Sequence, residues 1–382
     1  PWRLMMSSLV LDSLEIRGFR AFDQLQIDRL GRVNLIVGKN NVGKSCLLEA
    51  LRLYAHRGAP QTLLRTLEAR DELGEVIEGK SVESYIRALG HLFYGWRIFR
   101  EYGRTDEFII SPLETTHSKL VISTAWYYAD QNGGRNVLRR IDPRQPLLID
   151  VEPENTLPGL DIKFGEEDVL SVTLDRFFAG IPYSLLRGSR QVDEVPCRFI
   201  SSDGLSHRKI AALWDDIALQ PEESDVLKGL DILSPNIERL NLLGRGEQRA
   251  ERIPMVRIKE APIPIPLRSL GEGMNRLFGI LLALANAKHG LLLIDEVDSG
   301  LHYAVHKDLW RLIFQVAQRL DVQVFATTHS WDCIAGFQQS AQELAQATGM
   351  LIRLENRQGH IVPVVFDEDR LAIATRQDIE VR

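Results

Sequence analysis

Val33-Asn34-Leu35-Ile36-Val37-Gly38-Lys39-Asn40-Asn41-Val42-Gly43-Lys44-Ser45-Cys46-Leu47-Leu48-Glu49-Ala50-Leu51 is the stretch on which the fold turns. Its centre, Gly38 to Ser45, fits the pattern G-x-x-x-x-G-K-[ST]. The mostly apolar run Val33 to Val37 reads as a buried strand leading in. The run from Cys46 to Leu51 reads as a helix leading out. Strand, glycine loop and helix start together make a phosphate cradle. The glycines permit tight turns, the exposed amides aim at an anion, and the positive end of the helix dipole adds to the attraction. In this pattern Lys44 reaches the β and γ phosphates and the Ser45 hydroxyl ligates Mg²⁺. Gly38, Lys39, Asn40, Asn41, Val42, Gly43, Lys44, Ser45 and Cys46 are therefore candidate nucleotide contacts. Cys46 itself is most simply a small helix residue.

A cradle alone says only that a phosphate is bound; residues 269 to 330 say more. Leu291-Leu292-Leu293-Ile294 is an apolar strand ending in Asp295-Glu296. That placement suits Asp295 as a Mg²⁺ ligand and Glu296 as the group that polarises an attacking water. Upstream, Ser269-Leu270-Gly271-Glu272-Gly273 opens a helix. Its residues Met274, Leu277, Phe278, Leu281, Leu282 and Ala285 keep one apolar face, and Gly290 is expected to stop it. A glycine-flanked helix start is a second anion site. One subunit needs only one for its own γ-phosphate, so Ser269, Gly271, Glu272 and Gly273 point to a nucleotide held by another subunit. Downstream, Val322 to Thr328 reads as a strand ending at His329, 33 residues after Glu296. A histidine there can contact the γ-phosphate.

Composition sets limits on the rest. The chain has 382 residues, 45% hydrophobic and 26% charged, with a net charge of −6. Bulk charge does not favour nucleic acid, so any DNA contact needs a local patch or a partner. Arg245, Arg249, Arg252, Arg257 and Lys259 form a candidate cluster, which reads first as solvated surface. Cys46, Cys197 and Cys333 are far apart, with no C-x-x-C or His/Cys cluster, which argues against a disulfide framework or zinc site. This usage fits a reducing cytoplasm. No run approaches the ~18 apolar residues of a membrane span, and no signal peptide is expected. Pro1 to Leu4, ahead of Met5-Met6, read as an expression remnant.

Along the chain, two short strands, Leu9 to Phe19 and Leu25 to Ile27, precede the glycine loop. A helix from about residue 46 to 57 follows it, ended by Gly58-Ala59-Pro60. Residues 61 to 104 are largely helical. Leu63, Leu64 and Leu67 make one apolar face, and Val82, Ile86, Leu89 and Phe93 another. From 105 to 182 the pattern changes to short strands at Phe108–Ile110, Leu120–Ser123 with Trp126–Tyr128, Leu147–Val151 and Val169–Val172. Arg198-Phe199-Ile200 is expected to be a core strand, followed by a helix through Ile210 to Ile217. Pro262, Pro264 and Pro266 mark an extended connector. The expected divisions are residues 7–60 and 196–382 as the two parts of one ATPase head, with 61–195 as an inserted helical and β-meander region.

The set resembles the ABC-type ATPases, within them the RecF/SMC-like clade, and most closely the OLD-family and AAA-15 or AAA-21 type ATPases without a Toprim domain. The resemblance begins in Leu14-Glu15-Ile16-Arg17-Gly18-Phe19-Arg20-Ala21-Phe22 and runs through the glycine loop. It resumes at Ser269 to Gly273, Asp295-Glu296, the D-loop Asp298-Ser299-Gly300-Leu301-His302 and His329. The head that these motifs define covers about half the chain. They imply an α/β fold: a P-loop ABC-type head with mixed sheets and helices, plus the inserted α/β region. They imply ATP and Mg²⁺ as cofactors, with Ser45 and Asp295 at the metal. Glu296, His329 and Lys44 would act in hydrolysis, and Asp298 with the signature residues at the nucleotide.

Such heads form a homodimer, or a higher oligomer, head-to-tail around two ATPs. By the same resemblance the chain is a clamp or sensor controlling a separate effector, with a Toprim-type nuclease in anti-phage defence or DNA processing as the leading candidate. DNA is a possible further partner, and a membrane is not expected. The alternatives are a nucleotide-binding subunit of a membrane transporter and an ATP-binding scaffold with little turnover. Three departures stand out. Leu270 occupies the place where many relatives carry the signature serine. No Q-loop glutamine can be placed. The 53 residues after His329 are too few for a Toprim domain, and Asp367-Glu368-Asp369 reads as a turn rather than a metal cluster.

Overall fold

The computed structural model describes the chain except residues 1–8, 80, 97, 100–103, 115–116, 133–134, 142–155, 168, 181–194, 245–251, 260, 345–347 and 368–382. Among the described residues a six-stranded sheet forms the centre. Its order is His360–Phe366, Gly349–Arg357, Val33–Val37, Gln323–Thr327, Leu291–Ile294 and Cys197–Ile200. Neighbours are parallel from Gly349–Arg357 to Cys197–Ile200, and the His360–Phe366 strand closes one edge as an antiparallel hairpin. Parallel strands covered on both faces read as unbroken apolar runs rather than alternating ones. The two faces still separate by register. Val33, Leu35 and Val37 enter one core and Ile36 the other; Leu292 and Ile294 enter the first, Leu291 and Leu293 the second. Asn34 is the polar exception in a fully buried strand. Its amide accepts from Gly31 N and donates to the Gly31 and Val324 carbonyls, so burial leaves both its polar ends satisfied.

One face of this sheet carries the helices His207–Ile217, Pro221–Leu230, Glu272–Ala285, His306–Leu320 and Trp331–Glu343. The other packs on the helix Lys44–Ala55, which a second sheet covers in turn. That sheet is antiparallel, in the order Phe22–Ile27, Leu14–Phe19, Glu107–Ser111, Leu120–Asn132, Thr156–Phe164 and Leu170–Thr173. Arg135–Arg140 branches from Leu120–Asn132. The middle region therefore continues the N-terminal sheet: Glu107–Ser111 pairs directly with Leu14–Phe19. The expected boundary at residue 60 falls inside one layer, because the hairpin Leu14–Ile27 needs a partner for its second edge. A small sheet, Ile237–Gly244, Arg252–Ile258 and Ile265–Pro266, leads into the turn Leu267–Leu270.

Several details differ from expectation. The helix from Glu272 ends at Ala285, with Asn286 as its cap, rather than at Gly290. Val82 is exposed; Ser84, Ala88, Leu89 and Gly90 form the buried side of Val82–Gly90, whose start is held by a Ser81–Ser84 capping box. Val82, the first residue of the helix, faces solvent. Leu147–Val151, residues 1–8 and most of Asp367–Asp369 lie outside the described residues.

A buried charge network fastens the glycine-loop helix to its surroundings. Arg20 donates to both oxygens of Glu72 at 2.8 and 2.9 Å, and its Nε lies 2.6 Å from Glu49. Arg70 donates to the other Glu49 oxygen at 2.7 Å. Burial pushes the Glu49 carboxyl above its usual range, opposed by the two guanidiniums. Among the described residues no helix is long and apolar enough to cross a membrane.

Candidate active site

The C-terminal ends of four adjacent parallel strands converge on one edge of the central sheet, where α/β folds place their ligands. Val37 leads into the glycine loop, Thr327 into Thr328-His329, Ile294 into Asp295-Glu296 and Ile200 into Ser201.

The loop has the conformation its composition dictates. Gly38 (φ 141°), Asn41 (φ 63°) and Gly43 (φ 83°) all take positive φ. At Gly38 a Cβ would lie 2.5 Å from the Leu354 carbonyl oxygen, and at Gly43 2.9 Å from the Phe22 ring, so both positions require glycine. Gly43 caps the helix Lys44–Ala55 with no side-chain hydrogen bond, which leaves first-turn amides available to an anion. Lys44 is buried. Its Nζ donates to the Gly38 and Lys39 carbonyls at 2.8 and 2.9 Å, so the side chain is drawn back over its own loop. Burial pulls its pKa down, while Asp295 and Glu296 oppose that shift.

Ser45 Oγ donates to Asp295 Oδ2 at 2.9 Å, joining residues 250 positions apart. Both are oxygen donors, the ligand type that a hard cation such as Mg²⁺ takes. Among the described residues no group of three His, Cys, Asp or Glu side chains could hold a metal.

Glu296 sits in the left-handed region at φ 49°, an uncommon place for this residue, and its backbone is held at both ends. Its N–H donates to Thr327 Oγ1 at 2.8 Å, and the same hydroxyl donates to Asp295 Oδ1 at 2.6 Å. Its carbonyl accepts from Ser299 N at 3.0 Å and from Arg276 Nη2 at 2.8 Å. Thr328 Oγ1 donates to Asp298 Oδ1 at 2.5 Å, tying the His329 strand to the D-loop. His329 is exposed at the strand end, ahead of Ser330, which caps Trp331–Glu343. Partial burial and the Lys44 charge lower its pKa, against the raising effect of Glu296, Asp298 and Asp295. The imidazole is thus neutral at pH 7.

Ser269, Gly271 and Glu272 are exposed and face outward. Gly271 (φ 110°) caps Glu272–Ala285 with open space around it. Gly273 packs on the D-loop, where a Cβ would lie 2.7 Å from the Gly300 carbonyl oxygen. Of the basic cluster, Arg252 is paired with Asp215, and Arg245 and Arg249 lie outside the described residues.

Three residues of the site carry no role in the motifs. Thr327 and Thr328 are fully buried hydroxyls where the strand Gln323–Thr327 ends. Arg276 is 7% exposed and is the only charged residue after Glu272 in the helix Glu272–Ala285. A lone arginine amid residues such as Leu277, Phe278 and Leu281 was the available signal. The edge strand Cys197–Ile200 ends at Ser201-Ser202-Asp203 beside Asp295, with no glutamine there.

A P-loop, a carboxylate pair two strands away in the same sheet, a D-loop and a glycine-flanked helix start define a P-loop ATPase with an α/β head. The family comparisons agree on the ATPase. Residues 103–332 match the family AAA_21, described as "AAA domain, putative AbiEii toxin, Type IV TA system", and residues 10–81 match AAA_15, "AAA ATPase domain". The chain belongs to the AAA_21 family and is an ATPase. An ATP/GTP phosphatase of Helicobacter pylori is 21% identical over 353 residues, covering 87% of this chain and 89% of that protein. An uncharacterised protein of Methanocaldococcus jannaschii is 39% identical over 51 residues, 13% of this chain and 23% of its own length. Among solved structures, an SmcHead bound to the C-winged helix domain of ScpA has 13% identity and a TM-score of 0.47, covering 94% of this chain and 97% of that one. The SMC head domain from Thermotoga maritima has 15% identity and a TM-score of 0.42, covering 93% and 98%.

Proposed function

We propose that this chain binds MgATP, closes as a homodimer around two nucleotides, and so controls a separate effector protein. The observation that carries the reading is the outward-facing loop Ser269–Gly273. It starts a 14-residue helix with exposed, uncapped amides, while the P-loop of the same chain is joined to Asp295 instead. An anion site turned away from its own cradle suits a nucleotide carried by a second copy. Leu270 offers no hydroxyl, so the contact would be made by the amides of Gly271 to Gly273, with Ser269 beside them. Asp298, on the same face as His329, would line the closed site.

Within one subunit, the amides of Gly38 to Cys46 hold the β phosphate, and Lys44 turns its remaining donor to the γ phosphate. Ser45 and Asp295 would hold Mg²⁺, which would supply positive charge against the charge that develops on the phosphate. The Glu296 carboxylate orients a water and accepts its proton as the oxygen attacks the γ phosphorus, with ADP leaving. Neutral His329 donates an N–H to a γ-phosphate oxygen. We assign residues 7–60 and 196–382 to the head, and read 61–195 as an insertion that extends the sheet begun by Leu14–Ile27. The family description reads "putative AbiEii toxin, Type IV TA system", which is compatible with a role in defence. A Toprim-type nuclease remains our leading effector.

Light scattering of Glu296→Gln with MgATP tests the dimer. The mass is expected to double on ATP and to return to the monomer value on ADP. A mass unchanged by ATP overturns the clamp reading.

A further inference from the structure

Arg276 makes four hydrogen bonds, all to backbone carbonyls, and they lie on two separate segments. Nη1 donates to Ser201 O at 2.6 Å and Ser202 O at 3.5 Å; Nη2 donates to Asp295 O at 2.6 Å and Glu296 O at 2.8 Å. Its own backbone belongs to a third segment, the helix Glu272–Ala285. A buried guanidinium is expensive to desolvate, and burial lowers its pKa while Asp295, Glu296, Asp298 and Asp203 raise it. Its planar fork matches paired carbonyls in a way that the single ammonium of lysine does not.

Glu296 requires such a holder. Its positive φ is unfavourable for a residue with a side chain, by ~1–3 kcal/mol, and persists only where the surroundings fix it. Thr327 Oγ1 fixes the N–H side of the residue, and Arg276, with Ser299 N, fixes the carbonyl side. These bonds are all made by the backbone of Glu296 and fix the frame from which its carboxylate projects.

We propose that Arg276 is a positioning residue for hydrolysis: its guanidinium sets the peptides of Asp295 and Glu296, and thereby aims the Glu296 carboxylate at the attacking water. The role rests on Glu296 acting as the base. It also ties the start of Glu272–Ala285 to the catalytic turn of the same subunit, because Arg276 is three residues beyond Gly273.

Arg276→Lys and Arg276→Gln test the assignment, each alone and combined with Glu296→Gln. A misplacement of ~1 Å costs about 100-fold in rate. Arg276→Lys is therefore expected to lower kcat about 10- to 100-fold, with ATP affinity, measured by a fluorescent ATP analogue, within about threefold of the parent. In the Glu296→Gln background the same change is expected to cost less than about threefold, because the residue it acts through is already gone. Equal fold-losses in the two backgrounds overturn the inference, as does an unchanged kcat for Arg276→Lys. If Glu296→Gln alone fails to slow turnover, the reading of Glu296 is at fault instead. Should Arg276→Gln fold poorly, Arg276→Lys, which keeps the charge and part of the bonding, still decides the question.

Discussion

Thr327 gives the sharpest test of how the catalytic turn is built. Its hydroxyl is fully buried, accepts from Glu296 N at 2.8 Å and donates to Asp295 Oδ1 at 2.6 Å. Thr327→Val preserves the shape and removes both bonds. An orphaned buried N–H costs ~1–3 kcal/mol, and a bond to a charged acceptor is worth ~1.5–3 kcal/mol. Asp295 is only half-buried and regains water, so the expected loss is about 2–3 kcal/mol rather than the full sum. Thr327→Ser keeps the hydroxyl and loses one buried methyl, about 1 kcal/mol. Urea unfolding followed by fluorescence reads the difference. With a slope of ~3 kcal/mol/M, the valine variant falls by about 1 M in midpoint and the serine variant by about a third of that. Turnover should follow the same order, since only valine frees the peptide of Glu296. A valine midpoint equal to or above that of serine, at unchanged slope, refutes the reasoning.

Two further predictions concern the fold. Cys46, Cys197 and Cys333 are buried, and burial raises all three thiols, the latter two to about 12. Because only the thiolate reacts, a disulfide reagent at pH 8 should label none of them within minutes in the native protein and all three in urea; prompt labelling of any one contradicts its burial. Arg20→Met strands Glu72 and leaves Glu49 with Arg70 alone. Breaking a buried pair costs ~3–5 kcal/mol, so thermal unfolding should move down by about 5–10 °C; an unmoved transition shows that the network contributes nothing.

The strands that decide the class were the most legible. Leu291–Ile294 is an unbroken apolar run and Val33–Val37 is interrupted only by Asn34, because both their faces are covered, and each ends in residues whose chemistry is local: a carboxylate pair and a glycine loop. The helix Glu272–Ala285 was equally plain from its apolar stripe. Less was visible where structure depends on distant partners. Glu107–Ser111 gives no hint in sequence that it pairs with Leu14–Phe19. The strands Gly349–Arg357, Ile237–Gly244 and Arg252–Ile258 mix polar and apolar residues, and Pro363 interrupts the apolar run of His360–Phe366, so none carries a clear strand pattern. Leu120–Asn132 was read as two strands, though Ser123, Thr124 and Ala125 run straight through its pairing with Thr156–Phe164. In the site, the motif residues were found, and the residues that orient them were not. Arg276 acts through the carbonyls of Asp295 and Glu296, and Thr327 through the Glu296 N–H and the Asp295 carboxylate; contacts of this kind leave no motif of their own.

The most direct test of the account is ATP turnover by Glu296→Gln, measured beside the amount of ATP the variant retains. Glutamine keeps the size of the side chain and cannot take a proton from water. Turnover is predicted to fall by about 100-fold or more, with about one unhydrolysed ATP held per chain in the presence of Mg²⁺. Turnover at the parent rate, or loss of the bound ATP, would contradict the account.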